Sequence, residues 1–361
     1  MAYALFPTNG RVRLMTFNAN RVDSGPPLKS PSDIESRPRR VALSSMASHR
    51  WRALAPLFVL VVLAALISVA NPNFLEVRNL IRIANSASAP LTLAMGTTFI
   101  ILLGSIDLSV EGAVSLSAMV LVLLAANNLN DNNYGWAAVA AAVAASTVMG
   151  LASGVIQTML RIPSFMATLG TWFIGLGFSV FMLGGSAVRL VDPALRGLAL
   201  SRFLGLPFAV WIAAAAFAFA VVIQYYTRVG RHIVAVGGGE DVAELSGINL
   251  VRVRIAAFGL AGFFYGIAGV LAAAQLGQSD AVIGDGRMFA AVTAVVVGGT
   301  SLTGGEGGVV NTLIGVIIVT VLSNGMILLG ISPYVQQTVQ GLMIIAAVAL
   351  TLDRTRLKIV K

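Results

Sequence analysis

The side chains that could carry chemistry in this 361-residue chain are few, and their types exclude several kinds of active site. The chain has no cysteine, which excludes disulfides, thiolate metal sites and cysteine nucleophiles. Its two histidines, His49 and His232, are too few for a zinc site built from imidazoles. None of its three lysines, Lys29, Lys358 and Lys361, follows a glycine, so a G-K-[ST] phosphate loop is absent. We therefore expect no metal, no cofactor and no nucleotide hydrolysis by the chain itself.

Polar residues concentrate in three segments between apolar stretches, and the first segment is 103–112. It contains Asp107 and Glu111, and carboxylates at the edge of a membrane span are costly unless something compensates them. In one interpretation Asp107 or Ser109 caps the helix that follows, while Glu111 complements the positive end of the helix dipole. In a second interpretation, which is compatible with the first, the segment lines or gates a transport pathway.

The second segment, 228–249, is the longest and most charged internal loop. Residues 240–245 are predicted to form a short helix, because glycines precede them, acidic residues open them and Gly247 follows as a stop signal. Val242 and Leu245 are three residues apart and therefore share one face of that helix. This face could rest on the rest of the protein or dock a partner, and a plain connector is the alternative.

The third segment, 298–308, is rich in glycine. A phosphate-binding loop would need a lysine and a helix entry of the P-loop kind, and the segment has neither. We expect a tight re-entrant turn in which backbones pack closely, since irregular backbone at membrane depth must be buried in protein or face water. The structural residues of this turn are Gly298, Gly299, Thr300, Ser301, Gly304 and Gly305.

These segments separate long apolar blocks. The chain is 57% hydrophobic and 11% charged, too few charges for the exterior of a large helical protein in water. A membrane-spanning helix needs about 20 mostly apolar residues. The candidate spans are 53–70, 86–103, 112–127, 136–160, 162–183, 207–226, 252–276, 286–299, 307–329 and 334–351. The sequence predicts an all-α polytopic membrane protein with about ten transmembrane helices.

The distribution of basic residues predicts the orientation. With a cytoplasmic amino terminus, 18 of the 24 Lys and Arg residues fall in cytoplasmic segments, as the positive-inside rule requires, and both termini are cytoplasmic. The net charge of +9 is then a topology signal, and we expect no nucleic-acid binding. The first apolar block of the chain, residues 53–70, is too long for a signal peptide and is interpreted as an uncleaved anchor.

Three regions follow from this pattern. Residues 1–50 lack an apolar run and are predicted to be a disordered cytoplasmic tail, with a translation start at Met46 as an open alternative. Residues 51–355 form the transmembrane domain, which includes a cytoplasmic loop at 227–251. Residues 356–361 form a short basic cytoplasmic tail.

The three segments together resemble the permease subunit of bacterial monosaccharide-uptake ABC transporters of the ribose, xylose, arabinose and galactofuranose type. The motif G-G-I-D-L-S-V-G of that family is similar to residues 104–111, with Ser105 and Glu111 in place of two glycines. The loop motif G-R-x-I-x-A-x-G-G resembles 230–238, and A-x-L-S-G-I resembles 243–248. Two further motifs, P-x-F-x-x-T-L and G-G-T-S-L-x-G-G-x-G, resemble 163–169 and 298–307, and the likeness covers roughly 55–355.

The resemblance implies a type II-like ABC importer permease in the bacterial inner membrane that is not itself an enzyme. It implies a cytoplasmic ABC ATPase with tandem nucleotide-binding domains, a periplasmic sugar-binding protein, and a second permease chain in a homodimer or with a sister permease. The ATPase would grip a coupling loop formed by Gly238, Gly239, Glu240, Asp241, Ala243, Glu244, Leu245, Ser246 and Gly247.

A neutral sugar makes hydrogen bonds, so uncharged polar side chains in the spans are the pathway candidates, together with the first polar segment. The pathway and gating candidates are Thr97, Thr98, Asp107, Ser109, Thr168 and Asn324, and Thr92, Ser115, Gln157 and Asn311 are further candidates. An ion-coupled secondary transporter is a competing hypothesis, although such proteins keep ionisable residues inside their spans. The sequence also leaves open an ABC permease for a nucleoside, an amino acid or another small polar solute, and a channel or membrane scaffold.

Overall fold

The structure is a computed structural model, and it describes residues 41–351, with side chains from residue 55 onward except for a few in the last helix. The chain divides into two units, Met1–His49 and Arg50–Lys361. The described end of the first unit is helical from Val41 onward. The architecture given below is that of the second unit.

Helices dominate the described residues. Their bounds are α1 Val41–Ala70, α2 Val77–Leu102, α3 Val110–Leu124, α4 Trp136–Leu160, α5 Ser164–Leu183, α6 Pro193–Leu200, α7 Phe208–Val221, α8 Arg228–Gly238, α9 Glu240–Leu245, α10 Leu250–Leu276, α11 Arg287–Val297, α12 Val309–Leu328 and α13 Pro333–Thr351. A 3₁₀ turn covers Pro72–Leu75, and a π-helical segment covers Val222–Tyr226. The four strands are β1 Val188–Arg189, β2 Arg202–Phe203, β3 Leu206–Pro207 and β4 Gln278–Ser279.

Each of the ten predicted apolar blocks coincides with a helix. Within the described residues, five helices are long and apolar enough to cross a membrane: Trp136–Leu160, Ser164–Leu183, Phe208–Tyr226, Leu250–Leu276 and Val309–Leu328. Helices α3 and α11 are apolar but shorter, with 15 and 11 residues. The prediction of a mostly helical membrane protein is therefore confirmed.

The central helix of the second unit is α10, whose apolar stretch is 72% buried, against 28–50% for the other four candidate spans. Small residues let its neighbours approach closely. A Cβ on Gly262 would lie 3.2 Å from the Cα of Gly150 on α4. Ser146 on α4 donates a hydrogen bond to the carbonyl of Gly262 at 2.7 Å, and Ser117 on α3 donates to that of Gly266 at 2.8 Å. Such packing is typical of helices that associate within lipid.

Within the predicted cytoplasmic loop, residues 228–238 form α8, a helix that the sequence analysis did not predict. Thr227 caps the amino-terminal end of α8, since its hydroxyl accepts a hydrogen bond from the amide of Gly230 at 3.3 Å. Ile233 and Val236, three residues apart, are buried, so one face of α8 packs against the bundle. The terminal glycines of this segment had hidden the apolar periodicity.

At one end of the bundle, short strands and turns from distant parts of the chain lie together. Strand β1 pairs antiparallel with β4, with Val188 opposite Ser279. The amide of Leu190 donates to the carbonyl of Gly277, and the amide of Val191 donates to that of Ala126. The segments 125–135, 184–206 and 277–286 therefore share one end of the helices.

Candidate functional site

Four segments meet at the other end of the helices, and we call this surface the four-segment face: residues 103–109, 161–163, 227–249 and 298–308. Three of the segments touch through their backbones. The amide of Gly305 donates a hydrogen bond to the carbonyl of Leu102 at 2.9 Å. A Cβ on Gly237 would overlap that same carbonyl, and a Cβ on Gly305 would lie 2.6 Å from the Cα of Gly238. Only glycine permits this approach, because real Cβ contacts are longer.

Segment 103–109 is also held by two hydroxyls in the first turns of α5, directly after segment 161–163. The amide of Ile106 donates to the hydroxyl of Ser164 at 3.2 Å, and the amide of Leu108 donates to that of Thr168 at 3.0 Å. The first polar segment thus spans the gap between α2 and α5. Thr168, a predicted pathway residue, is fully buried and positions this loop.

Helix α9 protrudes from the four-segment face. It covers the predicted residues 240–245 and ends in a Schellman motif, since the amide of Gly247 donates to Glu244 and that of Ile248 donates to Ala243. Gly247 has φ +81°, as this motif requires. Ala243 anchors the helix inward, whereas Val242 and Leu245 are 70% and 89% exposed. An exposed apolar pair on a capped helix is suited to contact with another molecule.

One ion pair ties α9 to the bundle. The guanidinium of Arg254, in the second turn of α10, contacts the carboxylate of Glu240 at 2.5 Å, and it is the one salt bridge among the described residues. Half of the Glu240 side chain is exposed, so the pair contributes little to stability. It joins the first residue of α9 to the second turn of α10.

The sequence predicted that Asp107 or Ser109 caps α3, and the structure gives a different geometry. Ser109 occupies the N-cap position, but its side chain makes no capping bond to the helix. Its amide and hydroxyl instead donate to the same oxygen of Asp107, at 2.8 and 2.6 Å. Asp107 is buried in the loop between the helices, and burial raises its pKa, an effect that the two bonds from Ser109 oppose. Asp107 thus organises the loop that precedes α3 and does not bond to the helix amides.

The glycine-rich segment 298–308 folds back on itself as a tight turn. The amide of Ser301 donates to the carbonyl of Glu306 at 3.0 Å, and the buried hydroxyl of Thr300 accepts from the amide of Gly308 at 3.2 Å. Gly304, at φ +87°, packs on Gly104 of the first segment. The turn contacts the end of α2 and the end of α8 through main-chain atoms.

The predicted pathway residues Thr97, Thr98 and Asn324 are buried and hydrogen-bonded within the protein. Thr97 donates to the carbonyl of its own helix at Leu93 at 3.2 Å, and Thr98 lies 2.8 Å from the hydroxyl of Thr312 on α12. Asn324 exchanges two hydrogen bonds with Asn79 on α2, at 3.0 and 3.1 Å. The structure therefore gives each of these side chains a partner between or within helices.

Two side chains at this site were missed by the sequence analysis. Gln224, in the π-helical segment, accepts from the amide of Val309 at 2.8 Å and donates to the carbonyl of Gly307 at 3.3 Å, which clamps the start of α12. Tyr265 of α10 is 1% exposed and lies against Gly96, and its hydroxyl has no hydrogen-bond partner among the described residues. Gln224 could have been singled out in the sequence because it is a polar residue inside an apolar block.

The described part of the chain is a bundle of membrane-spanning helices whose loops converge on one end beside a protruding capped helix. The family model for the permease component of the branched-chain amino acid transport system matches residues 79–348. The chain belongs to this family of permeases.

Several relatives are import permeases for sugars. The chain is 37% identical over 296 residues to the ribose import permease protein RbsC of Escherichia coli K12, covering 81% of this chain and 91% of that protein. It is 33% identical over 299 residues to RbsC of Bacillus subtilis 168, covering 82% and 92%. It is 33% identical over 325 residues to the galactose/methyl galactoside import permease protein MglC of Salmonella typhimurium LT2, covering 86% and 97%. No solved structure matches the chain.

These relatives are permease subunits of transporters and are not enzymes. The resemblance stated from the sequence motifs is confirmed by the family and by the relatives. With its membrane-spanning helices, the chain is a multi-pass protein of the bacterial inner membrane.

Proposed function

We propose that the chain is the membrane permease of an ATP-driven importer that moves a monosaccharide into the cytoplasm. The observation that carries the proposal is α9, a capped helix with an exposed apolar pair on a surface shared by three other segments. A separate ATPase that pushes on α9 would act at once on the loop before α3 and on the turn before α12. Ribose and galactose in the names of the relatives support a monosaccharide as the substrate.

In this proposal, residues 238–247 dock in a groove of a cytoplasmic ATPase with tandem nucleotide-binding domains. A periplasmic sugar-binding protein delivers the sugar to the opposite end, and a second permease chain, identical or related, completes the pathway. Alternation of access would follow from movement of the coupling helices when the ATPase closes. We place the pathway and its gate near Thr97, Thr98, Asp107, Ser109, Thr168 and Asn324.

The proposed topology has about ten spans, with both termini and the four-segment face in the cytoplasm. The distribution of 18 basic residues among the cytoplasmic segments and 6 among the others supports this orientation. Because the chain lacks cysteine, a single introduced cysteine can be labelled without background. Leu245→Cys should react with a membrane-impermeant maleimide only in inside-out vesicles, and the matched Leu204→Cys, also exposed, should react only in right-side-out cells.

Uptake in proteoliposomes tests the function. Vesicles that contain the chain should accumulate radiolabelled ribose or galactose only when the cognate binding protein is outside and the ATPase and ATP are inside. Competition by unlabelled nucleosides and amino acids tests the substrate class. Uptake driven by an ion gradient without the ATPase would refute the proposal, as would labelling of Leu245→Cys from the periplasmic side.

A further inference from the structure

Glu111 is a buried carboxylate that the proposed function does not use. It stands in place of a glycine of the family motif, and it lies in the first turn of α3, as the sequence analysis expected. The residue is only 6% exposed, and its Oε1 atom has no hydrogen-bond partner among the described residues. A buried carboxylate is costly unless its surroundings compensate its charge, so the neighbours of Glu111 indicate its role.

The segment that leads into α11 packs directly on the first two turns of α3. This segment leaves the strand pairing at Ser279 and turns into the bundle, where Ile283 is buried. The amide of Gly284 donates a hydrogen bond to the hydroxyl of Ser115 at 3.1 Å. A Cβ on Gly284 would overlap the carbonyl of Glu111, so the two backbones are in contact. Helix α11 therefore begins inside the bundle, beside the start of α3.

The start of α11 presents free amides to this carboxylate. The N-cap residue of α11 is Gly286, which has no side chain to accept a hydrogen bond, and the first turn of α11 contains no acidic residue. The amides of Met288 and Gly286 lie beside the carboxylate of Glu111. Free amides and the positive end of the helix dipole favour a carboxylate at a helix start. Glu111 thus supplies from α3 the negative charge that α11 lacks in its own first turn.

Two other charged side chains lie near Glu111. Asp285 is exposed and repels the carboxylate. Arg287 donates from its Nε atom to the carbonyl of Ile283 at 2.7 Å, and within the described part of the chain it forms no ion pair. The amides at the start of α11, and not the guanidinium of Arg287, therefore hold the carboxylate of Glu111.

We infer that Glu111 is a positioning residue for transport, which fixes the start of α11 to the start of α3. Helix α11 has 11 residues and is roughly 16 Å long. Its other end runs into the glycine-rich turn, where Gly305 packs on Gly238 of α8. A displacement of the four-segment face would be carried along α11 and delivered to α3 through Glu111. The unpaired Oε1 atom favours a second arrangement of the two helices in which this atom is bonded, because buried polar atoms are almost always paired.

Hydrogen–deuterium exchange of the purified full-length chain in detergent tests the contact without any partner. Glu111→Gln keeps the shape of the side chain and removes its charge. Amides at the start of α11 should exchange about tenfold faster or more in this variant, because hydrogen bonding to a charged group is lost there. If Glu111→Gln does not fold, Glu111→Gly, which has the residue of the family motif, should show the same increase.

Glu76→Gln is the matched control. Glu76 is an exposed carboxylate at the N-cap of α2, and its side chain makes no capping bond. Its replacement should leave exchange at the start of α11 unchanged. Equal exchange at the start of α11 in the parent and in a well-folded Glu111 variant would overturn the inference.

The consequence for transport rests on the proposed function and is measured in the proteoliposomes described above. Glu111→Gln should lower the maximal rate of sugar uptake several-fold and leave the KM for the loaded binding protein unchanged. It should also raise the number of ATP molecules hydrolysed per sugar, because the ATPase still moves the four-segment face while α3 no longer follows. A proportional fall of uptake and ATP hydrolysis would show a merely structural role and contradict the inference. Absence of uptake by the parent chain would refute the proposed function alone, since the exchange experiment decides on the contact independently.

Discussion

Replacement of Gly237 by alanine tests whether the close backbone contact between Leu102, Gly237 and Gly305 on the four-segment face is essential. A Cβ at this position would lie 2.7 Å from the amide nitrogen of Gly305 and would overlap the carbonyl of Leu102. These two groups are joined by the 2.9 Å hydrogen bond that connects the end of α2 to the glycine-rich turn. To admit a methyl group, the segments must separate by roughly 1.5 Å or more, since non-bonded contacts to carbon are about 3.5 Å.

The expected cost follows from that separation. Loss of the hydrogen bond costs about 1 kcal/mol, and buried groups left unpaired cost about 1–3 kcal/mol. Alanine is better than glycine within a helix by about 0.5–1 kcal/mol, which offsets part of this loss. We expect Gly237→Ala to lower the free energy of unfolding by about 2 kcal/mol.

Gly238→Ala is the matched control. Gly238 is the next residue of α8, and a Cβ there would meet no atom within 4 Å. It should be neutral or slightly stabilising, because the helix gains about 0.5–1 kcal/mol. Thermal unfolding of the two purified variants in detergent measures the difference, which should be about 5 °C or more. ATP-dependent sugar uptake should fall in Gly237→Ala. Equal melting temperatures for the two variants would refute the reasoning.

Three further predictions concern single contacts. Gly247→Val should weaken association with the ATPase while leaving membrane insertion intact, because a β-branched residue at φ +81° disrupts the end of α9; normal co-purification with the ATPase would contradict this. Asn79→Leu should lower the free energy of unfolding by about 1–3 kcal/mol, because it leaves the amide of Asn324 unpaired. The double variant Asn79→Leu/Asn324→Leu should melt at a higher temperature than Asn79→Leu. A lower melting temperature of the double variant would show that the two amides do more than satisfy each other's hydrogen bonds. Asp107→Ala should lose the two hydrogen bonds from Ser109 and lower the free energy of unfolding by about 1–3 kcal/mol. Asp107→Asn is the conservative control. Complete loss of uptake in a stably folded Asp107→Asn would show that the charge of Asp107 has a role in transport.

The parts of the fold that depend on local pattern could be predicted from the sequence. Apolar blocks gave the helices, since a block of that length must be helical in a bilayer. Acidic residues at the start and Gly247 at the end located α9 to the residue. The motif resemblance identified the family, because four motifs in order at fitting spacing are far more specific than one.

The parts that depend on tertiary contact could not be predicted. Asn79 and Asn324 are 245 residues apart, and nothing near either one indicates its partner. Whether Asp107 caps α3 or holds the loop before it depends on which amide comes within reach, and that is set by Ser164 and Thr168 on another helix. Helix α8 was hidden because glycine lowers helix propensity, and here packing against the bundle overrides that preference.

The joint where Leu102, Gly237 and Gly305 meet is made of main-chain atoms. Side chains can change rotamer and so absorb a small displacement, but peptide groups in direct contact cannot move relative to one another in this way. A displacement of α8 would therefore be passed directly to the end of α2 and to the turn before α12. A methyl group added at Gly237 or Gly305 would force these segments apart.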